Sequence, residues 1–154
     1  MEHGTGSFSL RSLEEIEETM VITVENLTIG DRKISALVVD DDTCTRLIHK
    51  RMLEKFNMEV KAVANGKAAV DLYQAGAYFD VIFMDHEMPV MDGAEATKEL
   101  RGMGVKSLIV GVTSLAGVSE RNRFMDSGLD QCFEKPLTHE MVEVMLRKLK
   151  KESN

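Results

Sequence analysis

Cysteine is scarce in this chain, which argues against a disulfide framework or a cysteine-rich metal site. The 154 residues include two cysteines, Cys44 and Cys132, which lie far apart and lack metal-ligand spacing. Free cysteines usually behave as small apolar residues in protein interiors. The sequence therefore predicts two reduced, packed thiols.

Long apolar runs are also missing. No stretch approaches the ~20 apolar residues that a membrane-spanning helix needs. The first residues contain no apolar signal core, and the glutamates at positions 14, 15, 17 and 18 are unlike a secretory or transit peptide. We therefore expect no membrane association. The expected location is the cytoplasm, and the nucleus is an additional option.

A stripe of positive charge, as nucleic-acid-binding proteins carry, is not present either. Of 26 acidic and 19 basic residues, residues 1–32 hold seven and two, which leaves 19 against 17 for the remainder (26 − 7 and 19 − 2). The net charge of -7 thus resides mostly in residues 1–32. We expect these residues to form an acidic, weakly ordered N-terminal extension. A short helix in "SLRSLEEIEETM" and a strand in "VITVENLTI" remain alternatives.

Beyond residue 32, apolar runs alternate with amphipathic segments. The predicted strands are 33–39, 58–64, 79–84, 107–113 and 131–134, and the predicted helices are 43–56, 66–77, 92–103, 118–127 and 138–150. Several strands are continuously apolar, as parallel strands covered on both faces are. In the first helix, Leu47, Ile48, Met52, Leu53 and Phe56 are predicted to share one face, and Asp42 to cap its start. Alternating strands and helices predict a doubly wound α/β domain.

Polar side chains follow four of these five strands. They are Asp40 and Asp41, Asp85, Thr113 and Ser114, and Lys135. Ligands of doubly wound sheets bind at the carboxyl ends of the strands, near the switch in strand order. One cleft is therefore expected to hold three carboxylates, a hydroxyl and an ammonium.

This set of groups is suited to phosphoryl transfer. Crowded carboxylates repel one another unless a cation intervenes, and Mg²⁺ prefers such hard oxygen ligands. A carboxylate can act as the nucleophile and form an aspartyl phosphate. The metal and a fixed ammonium then hold the charge of the transferring group, with a hydroxyl as a further donor.

The stretches "LVVDDD", "FMDHEMPVMDG", "IVGVTS" and "EKPL" together resemble the receiver domain of two-component response regulators, over about residues 33–151. The resemblance implies a flavodoxin-like (βα)5 fold with strand order 2-1-3-4-5. It implies that Asp85 is the phosphoacceptor and that Asp41 ligates Mg²⁺ directly. Asp40 is expected to act mainly through water, and Glu87 to offer its backbone carbonyl to the metal.

By the same resemblance, Thr113 is the hydroxyl switch residue with Ser114 beside it, and Lys135 binds the phosphate before a cis proline bond. Cys132 departs from the pattern, because an aromatic switch residue usually stands three positions before the lysine. Glu87 lies two residues after Asp85, and we hypothesise that its side chain affects the lifetime of the phosphate. His86 is expected to be a solvent-facing loop residue.

The combination "DHEMP", "GVTS" and "CFEKPLTHE" is similar to plant type-C response regulators, which are stand-alone receivers. This implies a histidine-containing phosphotransfer protein as phosphodonor and, upstream, a hybrid histidine kinase. It also implies a phosphate sink or negative regulator of cytokinin-type signalling, with a net activity like that of a phosphohistidine phosphatase.

Two other functions stay open. The first is a receiver that no longer takes phosphate and acts only as an interaction module. The second is a haloacid-dehalogenase-like phosphatase, which also uses an aspartyl phosphate. Its motif needs Thr or Val in the position that Cys44 occupies in "DDDTC".

Overall fold

Seven strands and five helices make up the part of the chain that the computed structural model describes, residues 28–29, 32–114 and 117–153. The strands are β1 Thr28–Ile29, β2 Arg32–Lys33, β3 Ser35–Val39, β4 Glu59–Val63, β5 Val81–Met84, β6 Leu108–Thr113 and β7 Gln131–Glu134. The helices are α1 Thr43–Lys55, α2 Gly66–Gln74, α3 Gly93–Gly102, α4 Val118–Asp126 and α5 His139–Ser153. The helix considered in "SLRSLEEIEETM" lies outside these residues.

Five parallel strands form one sheet in the order β4-β3-β5-β6-β7. Counted along the chain from β3, this is the predicted order 2-1-3-4-5, so the doubly wound fold is confirmed. The first strand begins later than predicted, at Ser35 rather than at residue 33. The reason is that Lys33 pairs instead with Thr28, in the separate antiparallel hairpin of β1 and β2.

Both faces of the sheet are covered, which explains why its central strands β5 and β6 are buried at every residue and almost entirely apolar. Along β3, Ala36 and Val38 belong to one core cluster, and Leu37 and Val39 belong to the other. Side chains of α1 and α5 complete the first cluster, and side chains of α2, α3 and α4 complete the second. The sheet is therefore a rigid middle layer whose carboxyl edge is left for loops.

The start of α1 is as predicted, but its buried face is not. Asp42 caps the helix and accepts a hydrogen bond from the Thr45 amide at 2.8 Å. Leu47 and Ile48 are 48% and 60% exposed, whereas His49 is buried together with Leu53. At about 100° per residue, the His49–Leu53 line faces the sheet, and the two apolar residues before it point away. The shared face predicted for Leu47 and Ile48 is therefore wrong.

The prediction that both cysteines are packed is wrong for Cys44. Cys44 is exposed in the first turn of α1. Cys132 is half-buried in β7 against the core cluster that includes Phe124. Burial raises the pKa of the Cys132 thiol, so this thiol is neutral at physiological pH.

Candidate functional site

The carboxyl ends of β3 and β5 bring three aspartates together. Because β3 and β5 are neighbours in parallel register, Asp40 and Asp85 leave the same edge side by side, and the Asp85 amide donates to the Val39 carbonyl at 2.9 Å. Asp40 and Asp85 are 2% and 7% exposed, and Asp41 is exposed. One oxygen from each of the three carboxylates lies within 4.8 Å of the others.

Lys135 reaches this cluster from β7. Its Nζ lies 2.8 Å from Asp40 Oδ2 and 3.1 Å from Asp85 Oδ1. Its backbone amide donates to the Thr113 carbonyl at 2.9 Å, and its peptide bond to Pro136 is cis. One ammonium thus bridges the two most buried carboxylates of the site.

Thr113 and Ser114 lie at the end of β6, between the strands of Asp85 and Lys135. Thr113 is buried and is bound through its carbonyl to the Lys135 amide, whereas Ser114 is exposed. Cys132 pairs with Gly111 in the sheet, and its carbonyl accepts a hydrogen bond from Arg121 at 3.2 Å. Thr113, the predicted switch residue, thus lies on β6, and Cys132 lies on the neighbouring strand β7.

The charges in the cluster are not balanced. Burial raises the pKa of Asp85 to about 6, and the neighbouring charge of Asp40 adds to this effect, although Lys135 opposes it. Burial alone would lower the pKa of Lys135, but its hydrogen bond to Asp40 and the charges of Asp85 and Asp40 raise that pKa. The ammonium is therefore firmly protonated, and one cation faces three carboxylates.

A cleft of about 510 Å³ opens beside the cluster. It is lined by side chains from the β3–α1 and β5–α3 loops and from α4: Asp41, His86, Glu87, Met88, Pro89, Asp92, Glu120 and Arg123. Glu87 is exposed and lines this cleft together with Asp41. The cleft gives a molecule from outside access to the carboxyl edge of the sheet.

His86 is buried, so the prediction of a solvent-facing loop residue is wrong. Its side chain is 3% exposed, and its ring packs on Phe124 of α4 with centroids 4.7 Å apart. Nε2 lies 3.4 Å from Arg123 and 3.5 Å from Glu120, and the buried Nδ1 has no partner among the described residues. The sequence places His86 after a strand but does not indicate that α4 covers it.

Sequence reasoning also missed the role of Gly93 at the start of α3. The Gly93 amide donates to the His86 carbonyl at 2.8 Å, and a Cβ atom on Gly93 would collide with the Asp85 carbonyl oxygen. A glycine is therefore required where α3 meets the backbone of the acidic site. The sequence signal for this glycine is "MDG", in which Gly93 directly follows Asp92, the residue that caps α3.

A family model described as the response regulator receiver domain matches residues 36–147. The chain belongs to this family. The resemblance to receivers of two-component signalling is therefore confirmed, and the acidic cluster with its lysine lies within the matched residues.

Plant response regulators are among its most similar relatives. Two-component response regulator 24 of Arabidopsis thaliana is 44% identical over 79% of this chain and 87% of its own length. Two-component response regulator ORR42 of Oryza sativa subsp. japonica is 39% identical over 79% of this chain and 90% of its own. These relatives agree with the predicted similarity to plant type-C regulators.

Solved receiver domains share the fold. That of sensor histidine kinase PA1611 from Pseudomonas aeruginosa, with a magnesium ion coordinated in its active-site cleft, has a TM-score of 0.67 and 26% identity over 75% of this chain and 96% of its own. A mutant receiver domain of the histidine kinase CKI1 from Arabidopsis thaliana has a TM-score of 0.65 and 30% identity over 78% and 91%. Among the described residues here, no helix is long and apolar enough to cross a membrane.

Proposed function

We propose that this receiver accepts a phosphoryl group on Asp85 from a histidine-containing phosphotransfer protein, with Mg²⁺, as one step of a multistep phosphorelay. The observation that carries the proposal is the bridge from Lys135 to Asp40 and Asp85, at 2.8 and 3.1 Å, at the open end of the sheet. Such an arrangement holds a nucleophilic carboxylate and a phosphate-binding cation at a fixed distance from each other.

The donor set fits a magnesium ion. Asp40, Asp41 and Asp85 bring carboxylate oxygens within 4.8 Å of one another, and hard oxygen ligands are those that Mg²⁺ prefers. The raised pKa of Asp85 is further support, because it shows a carboxylate whose negative charge the chain's own residues leave under-compensated. Asp41, Asp85 and the Glu87 backbone carbonyl would hold the ion, with Asp40 acting through water. When bound, the ion would neutralise charge on the phosphoryl oxygens.

In the transfer step, an Asp85 carboxylate oxygen attacks phosphorus opposite the histidine nitrogen of the donor. The new O–P bond forms as the N–P bond breaks, and the nitrogen keeps the bonding electron pair. The Lys135 ammonium then faces the phosphoryl oxygens, having moved away from the carboxylate oxygen it now contacts. Thr113 supplies a hydroxyl to the phosphoryl group, with Ser114 next to it and Cys132 on the adjacent strand as modulating residues.

A protein phosphodonor needs a docking surface next to Asp85, and α1 offers one. The helix begins directly after the acidic pair, and Leu47 and Ile48 are exposed in its second turn. At about 1.5 Å per residue, these side chains stand less than two turns from the cleft. Exposed apolar side chains beside a polar cleft are typical of a protein interaction site.

The wider biological role rests on the plant relatives. We propose that the chain acts as a phosphate sink, or negative regulator, in cytokinin-type signalling in the cytoplasm and nucleus, downstream of a hybrid histidine kinase. Residues 33–151 would form the receiver unit and residues 1–32 an acidic extension. The family match over residues 36–147 supports a receiver unit of about this extent.

Transfer from a radiolabelled, phosphorylated histidine carrier tests the proposal directly. We expect Mg²⁺-dependent labelling of the wild-type chain and none in Asp85→Asn. Asp71→Asn is the matched control, because Asp71 is exposed on α2 and pairs only with Lys67 among its described ion pairs. A wild-type chain that stays unlabelled in Mg²⁺ would instead favour the interaction module. Turnover of small phosphomonoesters would favour the phosphatase.

The same label tests the hypothesis on Glu87. Its side chain is exposed and lines the cleft beside the acidic cluster. We expect Glu87→Ala to change the rate at which label is lost, because a carboxylate at this position can act on the water that attacks the acyl phosphate. An unchanged rate of loss would remove Glu87 from the mechanism.

A further inference from the structure

His86 contacts the acidic site with its backbone and α4 with its side chain. Its backbone amide lies beside the Asp85 carboxylate and lowers the pKa of that carboxyl group. Its ring packs on Phe124 and brings Nε2 to 3.4 Å from Arg123 and 3.5 Å from Glu120, all three on α4. A single residue therefore joins the phosphoacceptor to a helix that supplies none of the acidic cluster.

The backbone of this junction has little freedom to move. The Asp85 amide is bound to Val39, the His86 carbonyl is bound to Gly93 at 2.8 Å, and Gly93 leaves no space above the Asp85 carbonyl. A change at the Asp85 carboxylate thus cannot be absorbed easily by shifting the strand end. The side chain of His86 and the elements that it contacts are the softer part of the structure.

The ring itself is held loosely for a buried polar group. Its contacts to Arg123 and Glu120 are longer than ordinary hydrogen bonds, and Nδ1 has no partner among the described residues. Buried polar atoms are normally satisfied, so this position has unused bonding capacity. The ring can therefore exchange partners at little cost when its surroundings change.

Helix α4 is attached to the sheet at few points. All nine of its residues are described, and Phe124 is the one that is buried. Phe124 lies over Gly111 of β6, where a Cβ atom would stand 2.8 Å from the phenyl ring. Glu120 and Arg123 of α4 line the cleft of about 510 Å³ together with Asp41 and His86. His86 is therefore a packed contact between α4 and the loop that follows β5.

We propose that His86 is a positioning residue that couples phosphorylation of Asp85 to the placement of α4. The inference rests on the proposed function, which supplies the event at Asp85. A phosphoryl group adds charge and acceptor oxygens next to the His86 amide. The ring then changes its contacts with Glu120 and Arg123, and α4 is held differently over Gly111.

Hydrogen exchange of the α4 amides, with and without Mg²⁺ and acetyl phosphate, tests this coupling. We expect phosphorylation to change exchange in the wild-type α4 by roughly fivefold or more, the lower end of ordinary coupling between sites. His86→Phe keeps a ring on Phe124 but removes both nitrogens. It should still take label on Asp85, yet its α4 exchange should change less than twofold.

His139→Phe is the matched control, because His139 also contacts a phenylalanine, Phe56 at 5.4 Å, but stands at the start of α5. It should respond as the wild type does. If His86→Phe does not fold, the pair Glu120→Ala and Arg123→Ala removes both side chains that contact Nε2 from the α4 side. Both side chains are about half exposed, which favours correct folding.

The outcomes separate this inference from the proposed function. A labelled His86→Phe chain whose α4 responds as fully as the wild type overturns the inference alone. Loss of labelling in a folded His86→Phe chain also overturns it, because His86 would then act in the transfer itself. A wild-type chain that takes no label overturns the proposed function and this inference with it.

Discussion

The two ends of strand β5 carry the same residue in opposite electrostatic states. Asp80 precedes Val81 at the amino end, and Asp85 follows Met84 at the carboxyl end. Both are nearly buried, at 3% and 7% exposure. Burial raises the pKa of a carboxyl group in either place, so the difference between them comes from their neighbours.

Asp80 has a full set of partners. Arg32 donates to both of its oxygens at 2.7 and 2.8 Å, and the Ser35 amide and hydroxyl donate at 2.8 and 3.2 Å. Burial would raise the pKa of Asp80, but these hydrogen bonds and the charge of Arg32 outweigh it and lower that pKa. This aspartate stabilises the fold and has no unmet demand for a cation.

Asp85 meets another carboxylate and shares a single ammonium with it. Burial and the charge of Asp40 raise its pKa to about 6. The comparison teaches that a buried carboxylate is not by itself a sign of function. The functional end of the strand is the one whose charges are incomplete until something binds.

The largest expected effect concerns Lys135, whose ammonium contacts the carboxylates of both Asp40 and Asp85. Without its ammonium, the phosphoryl oxygens lose a fixed positive charge during transfer. We expect Lys135→Met to slow labelling from the histidine carrier by roughly 100-fold, as loss of a single electrostatic donor often does. Lys67→Met is the control, since Lys67 is exposed on α2 and pairs with Asp71. Equal rates in both variants would mean that the lysine bridge is structural.

The second prediction makes the same substitution at both ends of β5. In the metal-free protein near neutral pH, Asp85→Asn should raise the free energy of unfolding by roughly 1–3 kcal/mol, because it removes an under-compensated buried charge. Asp80→Asn should lower it by roughly 1–3 kcal/mol, because Arg32 and the Ser35 amide lose a charged acceptor. Urea denaturation measures both. Changes of the same sign would break the comparison.

The pH dependence of these two variants sharpens the contrast. The pKa of Asp85 in the folded protein, about 6, lies above the ordinary value of 3.8. The stability that this carboxyl group contributes is therefore fully present below pH 3.8 and is lost as the pH rises through 6. The gain in Asp85→Asn should therefore be full near pH 8 and absent near pH 4.

Asp80 behaves in the opposite way. Its folded pKa is lowered, so its stabilisation is present above 3.8 and is lost only as pH falls through the lowered pKa. The loss in Asp80→Asn should hence persist from about pH 8 down to about pH 5. Denaturation curves across this range check both trends, and a gain in Asp85→Asn that does not vary with pH would contradict the raised pKa.

The smallest expected effect concerns backbone strain in two loops, one at the amino end of β5 and one at its carboxyl end. On the amino side, the left-handed conformation after α2 is taken by Gly76, at φ 96°. On the carboxyl side it is taken by Val90, at φ 72°, a residue that is 76% exposed. Branched side chains are strained there, so Val90→Gly should raise the free energy of unfolding by up to about 1 kcal/mol. Gly76→Val should lower it by more, and thermal melting distinguishes the two.

Much of this molecule could be predicted from its sequence because the decisive signals are local or topological. Continuous apolar runs identified the strands, and parallel strands must present their carboxyl ends at one edge. That rule places Asp40, Asp85 and Lys135 at one edge of the sheet, and the strand order that the resemblance to receivers implies makes the strands of Asp40 and Asp85 neighbours.

What could not be predicted depends on packing between distant elements. The burial of His86 requires α4 to lie over it, and the exposure of Leu47 and Ile48 depends on how α1 is rotated on the sheet. The partner of Asp80 comes from 48 positions earlier in the chain. Neither periodicity nor motif encodes such distances, which is why Asp80 was read only as part of a strand.

Arg32 has a practical consequence for shortening this protein. It lies one residue before the predicted start of the receiver unit, and it supplies both hydrogen bonds of the Asp80 fork from the edge of the β1–β2 hairpin. A truncated form that begins at Lys33 would retain every residue of the proposed phosphorylation site but would remove the counterion of a buried anion, Asp80. Cutting at that point would leave a buried, poorly compensated carboxylate at each end of β5.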